Sequence, residues 1–198
     1  MAVMTPFADI GWPAPSFRLK GVDGRYHSLK QLAGPKGTVV VFISNNCPYV
    51  QAVMPRLIRD AQELDSLGVH TIAINANDVR AYPEDGYANM KLKASEWGLP
   101  FHYLHDDTQE VAHAFGAVCT PDFFGFDGNL RLQYRGRLDA LRTGSLGEYA
   151  WPRELYDAMR LIAHYGYGPG EQEPSVGCAI RWRQPPEDSD LSWRQPIG

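Results

Sequence analysis

Apolar residues fall into two kinds of run along the first half of this chain. Residues 38–43 and 69–74 are short, continuous apolar runs rich in β-branched side chains, which is typical of strands buried on both faces of a sheet. Between them, apolar residues from 50 to 64 recur every three or four positions, which predicts an amphipathic helix. Pro48 suits its first turn, where no backbone N–H is needed, and Pro55 inside it predicts a kink.

The remaining pattern predicts two hairpins and further helices. Turn residues at 23–24 and 127–129 each separate two strand-like runs, which predicts an N-terminal and a closing β-hairpin. Other predicted elements are helices over 87–97, 108–115 and 152–165 and a short strand over 101–104. Strands that alternate with helices indicate an α/β fold, in which a central mixed sheet has helices on both faces.

The chain length predicts one domain with additions. A length of 198 residues suits one domain better than two. We expect a domain over residues 1–165, which includes the N-terminal hairpin, and a C-terminal extension over 166–198. This extension contains several prolines and little periodic pattern. Its last part, residues 184–198, is expected to be mobile.

Composition excludes several classes of function. The chain is 44% hydrophobic and has a net charge of −4, so it can form a core but lacks the basic surface that nucleic-acid binding requires. It has no apolar run long enough for a membrane span and no signal-peptide pattern at its N-terminus. We therefore expect a cytoplasmic protein without nucleic-acid or membrane partners. Because no glycine-rich nucleotide motif occurs, we also expect no cofactor.

Three cysteines, Cys47, Cys119 and Cys178, are the candidate reactive groups. An odd number without a CxxC pair argues against a disulfide scaffold, a zinc ribbon or a local dithiol motif. In a reducing compartment, such cysteines are either buried apolar residues or reactive thiols. Their position in the fold must decide between these two roles.

Cys47 lies where a predicted buried strand passes into a predicted helix. The first turn of a helix offers unpaired N–H groups and a partial positive charge. Both stabilise a thiolate, which is the nucleophilic form of cysteine. Such a junction is normally exposed at the carboxyl edge of a sheet, where ligands bind. We therefore expect Cys47 to be an accessible, reactive thiol.

Three histidines are candidate metal ligands. His102, His105 and His113 lie close in sequence, but His102 and His105 straddle the end of a predicted strand. No cysteine pair accompanies them, so we expect no metal site.

The polar loop after residues 69–74 leaves two interpretations open. Asn75, Asn77 and Asp78 either line the mouth of an active site or cap a turn. Glu84 and Asp85 are expected to be solvated loop charges rather than general bases.

Several segments together resemble one protein family. They are APSFRLKGVDGRYHSLKQLAG near the N-terminus, NCPYV at 46–50, INAND at 74–78, YPED at 82–85, Thr120-Pro121, and GCAIRW at 177–182. These segments resemble bacterial peroxiredoxin-like (AhpC/TSA-type) members of the thioredoxin superfamily, over roughly residues 10 to 183. The resemblance implies a thioredoxin-like fold with a cis Thr120–Pro121 bond beside Cys47.

The same resemblance implies a thiol-based redox function. Cys47 would be the catalytic nucleophile, in a thiol–disulfide oxidoreductase or a peroxiredoxin-like antioxidant, and would attack a peroxide or a protein or small-molecule disulfide. Cys178, ahead of Cys119, would resolve the product, and an unknown thiol reductant would restore the protein. The residues implied as active-site support are Ser44, Asn46, Pro48, Thr120 and Pro121.

The chain also departs from the better-known branches of that superfamily. Val50 stands where a thioredoxin has its second cysteine, so a local dithiol cycle is impossible. The arginine that polarises peroxide in a peroxiredoxin aligns near Thr120, where this chain has none, and Arg135 and Arg137 are substitutes by proximity in sequence alone. Two alternatives stay open, namely a redox sensor whose oxidation is detected by a partner, and a non-catalytic interaction module.

Overall fold

The computed structural model describes residues 1–7, 9–141 and 152–183. The strands in these ranges are β1 (Ala2–Met4), β2 (Arg18–Gly21), β3 (Tyr26–Ser28), β4 (Gly37–Phe42), β5 (Val69–Asn75), β6 (His102–His105), β7 (Cys119–Thr120), β8 (Asp122–Asp127), β9 (Leu132–Tyr134) and β10 (Val176–Ala179). The α-helices are α1 (Leu29–Leu32), α2 (Pro48–Asp65), α3 (Tyr87–Trp97), α4 (Glu110–Phe115) and α5 (Glu154–Tyr165), and Pro83–Asp85 form a 3₁₀ turn. None of the helices in these ranges is both long and apolar enough to span a bilayer.

The main sheet has the strand order β3-β2-β6-β5-β4-β8-β9. Its central strand β4 pairs in parallel with β5 and antiparallel with β8, which confirms the predicted mixed sheet. Every residue of β4 is buried, as its continuous apolar run predicted. Both predicted hairpins are also present, as the antiparallel pairs β2–β3 and β8–β9.

Successive side chains of β4 enter different cores on the two faces of the sheet. Val39 and Val41 belong to the core that includes the apolar faces of α2 and α5. Val40 and Phe42 belong to the other core, where Phe115 of α4 makes edge-to-face ring contacts. This alternation follows from the period of two in a strand, and it confirms helices on both faces of the sheet.

Helix α2 begins directly after Cys47 and positions that cysteine. Cys47 is its N-cap residue with an extended backbone, and Pro48 is in the first turn as predicted. The helix continues through Pro55 for 18 residues and buries an apolar stripe against the sheet. The strand β4 ends at Phe42, five residues before Cys47, and therefore fixes the position of the helix start.

A second, smaller sheet was not predicted. It has the order β1-β10-β7, and β10 pairs antiparallel with both of its neighbours. Cys178 lies within β10, in the extension whose sequence shows little periodic pattern. Local sequence could not reveal this strand, since its four residues are too few to show periodicity and its hydrogen-bond partners are distant along the chain.

Other differences concern mainly the ends of elements. The helix predicted over 87–97 has those bounds as α3, whereas α4 and α5 each begin two residues later than predicted. The predicted strand at 101–104 is shifted by one residue in β6. The domain boundary at 165/166 stays a prediction, and the predicted mobility of 184–198 lies outside the described residues.

We predict that Gly125→Ala lowers the free energy of unfolding by about 1–3 kcal/mol, because the added methyl group overpacks the core. Its Cβ would lie 2.6 Å from Sδ of Met159 and 2.9 Å from Cβ of Tyr134. Gly170→Ala is the matched control, since a Cβ there meets no heavy atom within 4 Å. Urea unfolding measures both variants, and equal losses would contradict the packing described for β8.

Candidate active site

Cys47 lies at the carboxyl edge of the main sheet, against the strand β7. Its thiol donates a hydrogen bond to the backbone carbonyl of Thr120 at 3.0 Å. The Thr120–Pro121 peptide is cis, as the family resemblance implied. Only 4% of Cys47 is exposed, so the expectation of an accessible thiol was wrong. The reason is that β10, from the C-terminal part of the chain, packs against α2.

Cys178 reaches the same place from β10. It lies directly opposite Thr120 in the antiparallel pair of β10 and β7, and it packs against the core cluster that contains Cys47. Because Cys47 contacts the carbonyl of Thr120, this register brings the two thiols together. The structure thus places the predicted nucleophile beside Cys178, one of its two predicted resolving cysteines.

Gly177 allows β10 to approach the cis peptide this closely. A Cβ at Gly177 would lie 2.5 Å from the carbonyl carbon of Thr120 and 3.0 Å from the nitrogen of Pro121. Real Cβ atoms do not approach backbone so closely, so a larger residue would displace the strand. The glycine therefore sets the distance between Cys178 and Cys47.

The environment of Cys178 keeps its thiol protonated at neutral pH. Burial, followed by the hydrogen bond and the charge of Cys47, raises the pKa of Cys178 to about 11. A protonated thiol is a weak nucleophile. Cys178 is therefore a weak nucleophile while both thiols are reduced.

Cys119 is less well placed than Cys178 to react with Cys47. Adjacent residues of a strand point to opposite faces, so the side chain of Cys119 points away from that of Thr120. Its Sγ lies 3.5 Å from the carbonyl oxygen of Pro121. Cys119 is fully buried, and this burial, with a contribution from the charge of Asp122, raises its thiol pKa far above the usual value.

The predicted supporting residues divide into a buried and an exposed group. Ser44 and Thr120 are buried, and their hydroxyl oxygens lie 3.4 Å apart, within hydrogen-bonding distance. Asn46 and Pro48 are exposed beside Cys47. The structure therefore brings Ser44 close to the cis peptide but leaves Asn46 on the rim of the site.

Asn45 is a second buried polar residue of this loop, and no sequence motif indicated it. Its backbone N–H donates to a carboxylate oxygen of Asp85 at 2.7 Å, and its side-chain amide donates to the carbonyl of Glu84 at 2.8 Å. The hydroxyl of Tyr103 donates to its side-chain oxygen at 2.9 Å. These bonds fix the loop that carries Cys47. The preference for polar residues at strand ends could have indicated Asn45, but not its burial.

Asp85 is the centre of this polar network. The expectation that it is a solvated charge was wrong, since only 4% of it is exposed. Besides the N–H of Asn45, its carboxylate accepts hydrogen bonds from the side-chain amides of Asn75 at 3.0 Å and Asn77 at 2.8 Å. A buried carboxylate is tolerated when several donors satisfy it. Of the two interpretations of Asn75 and Asn77, capping of a turn matches the structure, because the backbone N–H of Asn77 donates to the side-chain oxygen of Asn75 at 3.0 Å.

The same loop also holds the chain just after β10. The side-chain oxygen of Asn77 accepts a hydrogen bond from the backbone N–H of Arg181 at 2.9 Å. The N–H of Asp78 donates to the carbonyl of Arg181 at 2.8 Å. One polar network therefore connects the loop before Cys47 with the segment that follows Cys178.

Both arginines that could replace a peroxide-binding arginine are paired with carboxylates. Arg135 forms a buried ion pair with Asp122 at 3.0 Å, and its guanidinium also donates to the carbonyl of Gly116. Arg137 forms a bidentate pair with Glu154, at 2.8 to 3.0 Å. Burial raises the pKa of Asp122 to about 6, while Arg135 opposes this rise. These interactions explain both arginines without a role at Cys47.

Comparison with known proteins places this geometry among thiol-based redox proteins. The AhpC/TSA family model matches residues 10–135. An uncharacterized conserved protein from Geobacillus kaustophilus has a crystal structure with a TM-score of 0.84 and 41% identity, covering 92% of this chain and 97% of that one. Thiol-disulfide oxidoreductase ResA from Geobacillus thermodenitrificans is 26% identical over 137 residues, which are 69% of this chain and 71% of that protein.

A further structural match supports the fold alone. The thioredoxin domain of a thiol-disulfide oxidoreductase from Bacteroides vulgatus gives a TM-score of 0.60 at 16% identity. It covers 79% of this chain and 99% of that one. The mixed sheet with helices on both faces is therefore the thioredoxin-like fold that the sequence predicted.

We predict that Asp85→Asn lowers the free energy of unfolding by about 3 kcal/mol, because an amide cannot accept from all three buried donors. Glu84→Gln is the matched control, since Glu84 is exposed and contributes only its backbone carbonyl to the network. The control should change the free energy by no more than about 0.5 kcal/mol. Urea unfolding compares the two, and a stable Asp85→Asn protein would disprove the role given to the network.

Proposed function

Because this chain belongs to the AhpC/TSA family, we propose that it is a thiol–disulfide oxidoreductase in which Cys47 is the nucleophile and Cys178 is the resolving thiol. The observation that carries this proposal is the meeting of these two thiols at the cis Thr120–Pro121 peptide. The relatives named as thiol-disulfide oxidoreductases support the same class of reaction.

The proposed cycle transfers two electrons to a disulfide substrate. The thiolate of Cys47 attacks one sulfur of that disulfide, the S–S bond breaks, and the other sulfur leaves and takes up a proton. Cys178 then attacks Sγ of Cys47 in the mixed disulfide. This step releases the second substrate thiol and leaves a Cys47–Cys178 disulfide. An external thiol reductant restores both cysteines by the same exchange in reverse.

Helix α2 supplies the electrostatic part of this mechanism. Cys47 precedes its first turn, where unpaired N–H groups and the helix dipole favour a negative charge. The thiol that must attack first therefore lies where the start of a helix offers N–H donors.

The neighbouring thiols also order the two steps. Two of the causes that raise the pKa of Cys178 are the hydrogen bond and the charge of Cys47. Both causes disappear when Sγ of Cys47 bonds to a substrate sulfur. The pKa of Cys178 then falls, so its thiolate forms more readily at the moment when it must attack.

The proposed oxidant is a disulfide rather than a peroxide. A peroxidase needs a cation to polarise the peroxide bond, and the two candidate arginines are engaged by Asp122 and Glu154. Thiol–disulfide exchange needs only the attacking thiol, the resolving thiol and access to a sulfur atom. Protein and small-molecule disulfides both remain in the proposed substrate class.

We also propose that the protein works in the cytoplasm. Three cysteines without a CxxC pair do not form a disulfide framework, and such a sparse, odd set suits a reducing compartment. Alkylation of thiols in intact cells, followed by fractionation, tests this location. Recovery of the protein in an extracytoplasmic fraction would disprove it.

We predict that one equivalent of glutathione disulfide converts the reduced protein to a form with a Cys47–Cys178 bond. Acid quenching, digestion and mass spectrometry identify the link. Cys178→Ser should stop at a mixed disulfide between Cys47 and glutathione, whereas Cys119→Ser should behave as the wild type. A Cys47–Cys119 link, or an unmodified Cys47, would contradict the proposal. Turnover with dithiothreitol separates an enzyme from a sensor, which would be oxidised once.

Gly177→Ala provides a second test of the same geometry. Displacement of β10 should slow closure of the Cys47–Cys178 bond by about tenfold or more, while the mixed disulfide at Cys47 still forms. Gly170→Ala, where a Cβ meets no neighbour, should close at the wild-type rate. Wild-type closure in Gly177→Ala would mean that the register of β10 does not control the resolving step.

A further inference from the structure

A cluster of two imidazoles and one carboxylate lies apart from the cysteines, beside the N-terminal hairpin. Asp23 is in the turn between β2 and β3, His27 is in β3, and His102 is the first residue of β6. One potential ligand atom from each residue lies within 4.8 Å of the other two. Along the chain, the nearest histidines to His102 are His105 and His113, so sequence proximity does not indicate its pairing with His27.

Short contacts within the cluster define its geometry. Nε2 of His27 lies 2.8 Å from Oδ2 of Asp23. The rings of His27 and His102 are 4.5 Å apart between centroids and are inclined by 50°. The other carboxylate oxygen of Asp23 accepts the backbone N–H of Arg25 at 3.0 Å, which fixes the orientation of the carboxylate. Such an outer hydrogen bond is a common feature of ligating carboxylates.

Gly21 provides the space in which the cluster forms. The strand β2 runs between β3 and β6, so the rings of His27 and His102 must meet across it. A Cβ at Gly21 would lie 2.7 Å from Oδ1 of Asp23 and 3.0 Å from Cδ2 of His27. Only a residue without a side chain leaves both groups in place.

Hydrogen bonds also fix the backbone around this space. The N–H of Gly21 donates to the carbonyl of Arg25 at 2.8 Å, which closes the hairpin. The hydroxyl of Tyr87 in α3 donates to the carbonyl of Gly21 at 2.7 Å. The side chain of His27 is only 15% exposed, whereas that of Asp23 is 41% exposed. Of the three residues, only His27 is partly enclosed, whereas Asp23 and His102 are exposed to solvent.

We propose that Asp23, His27 and His102 bind a divalent first-row transition-metal ion, for which Zn²⁺ is the representative probe. Two imidazole nitrogens and one carboxylate oxygen are a donor set suited to this class of ion. Ca²⁺ and Mg²⁺ are disfavoured, because they take oxygen ligands. Three protein ligands leave a fourth position for a water molecule.

The ligand atoms need only a small adjustment to hold the ion. Bonds of about 2.0–2.1 Å in a tetrahedral site place ligand atoms about 3.4 Å apart, and the present separations are all within 4.8 Å. Rotations about side-chain bonds that move the ligand atoms by about 1 Å bring these atoms to that spacing. The ion replaces the direct contact between His27 and Asp23, and any proton shared there is released. A bound ion would link the hairpin β2–β3 to β6.

Calorimetric titration of the fully reduced protein with ZnCl₂ tests the proposal. We expect one Zn²⁺ per chain, with binding weakened at least about tenfold in both His27→Asn and His102→Asn. His164→Asn is the matched control, because His164 is an exposed residue of α5, and it should bind as the wild type does. Binding of equal strength in all four proteins would overturn the proposal.

Two further measurements separate this site from the cysteines and from a folding defect. Co²⁺ bound to the cluster should persist after the thiols are alkylated, whereas a signal that alkylation abolishes would assign the ion to the cysteines. Long-range ¹⁵N spectra of the wild-type histidines report ligation directly, without any substitution. Zn²⁺ should shift the ring nitrogens of His27 and His102, and unchanged resonances for both would disprove the site.

Discussion

The antiparallel pairing of β10 with β7 is the constraint on which the proposed chemistry depends. It places Cys178 opposite Thr120, whose carbonyl receives the thiol of Cys47. It also covers Cys47, which a helix start at a sheet edge would otherwise expose. Gly177 makes the pairing possible, because a side chain at that position would clash with the cis peptide. The positions of the proposed resolving thiol and of the strand that shields Cys47, the proposed nucleophile, therefore share one structural cause.

The buried carboxylate of Asp85 supports this arrangement from the other side. A charge away from water is costly unless several hydrogen bonds satisfy it, and here three N–H donors do so. One of its partners, Asn45, lies in the loop before Cys47. Another, Asn77, accepts a hydrogen bond from Arg181 in the chain after Cys178. The network thus fixes two segments that come from distant parts of the sequence. A reactive thiol pair needs such rigidity, because disulfide formation tolerates little variation in distance.

Local patterns predicted the framework of the domain well. Continuous apolar runs gave the strands β4 and β5, and a regular apolar stripe gave α2, because each of these patterns reflects burial within one element. The position of Cys47 before α2 and the hairpin at β8–β9 followed from turn and cap residues. Family resemblance added the cis bond before Pro121, which no periodicity indicates. Short strands with distant partners, such as β1, β7 and β10, left no such signal.

The sequence by itself therefore determined the sheet, its helices and the position of Cys47 at a helix start. Tertiary structure alone decided that Cys178 rather than Cys119 meets Cys47, that Asp85 is buried, and that His102 lies beside His27. The physical reason is the range of the interactions. Helix and strand patterns express contacts that each element makes with a single core. The thiol pair, the carboxylate network and the histidine cluster each require segments that only the folded chain brings together.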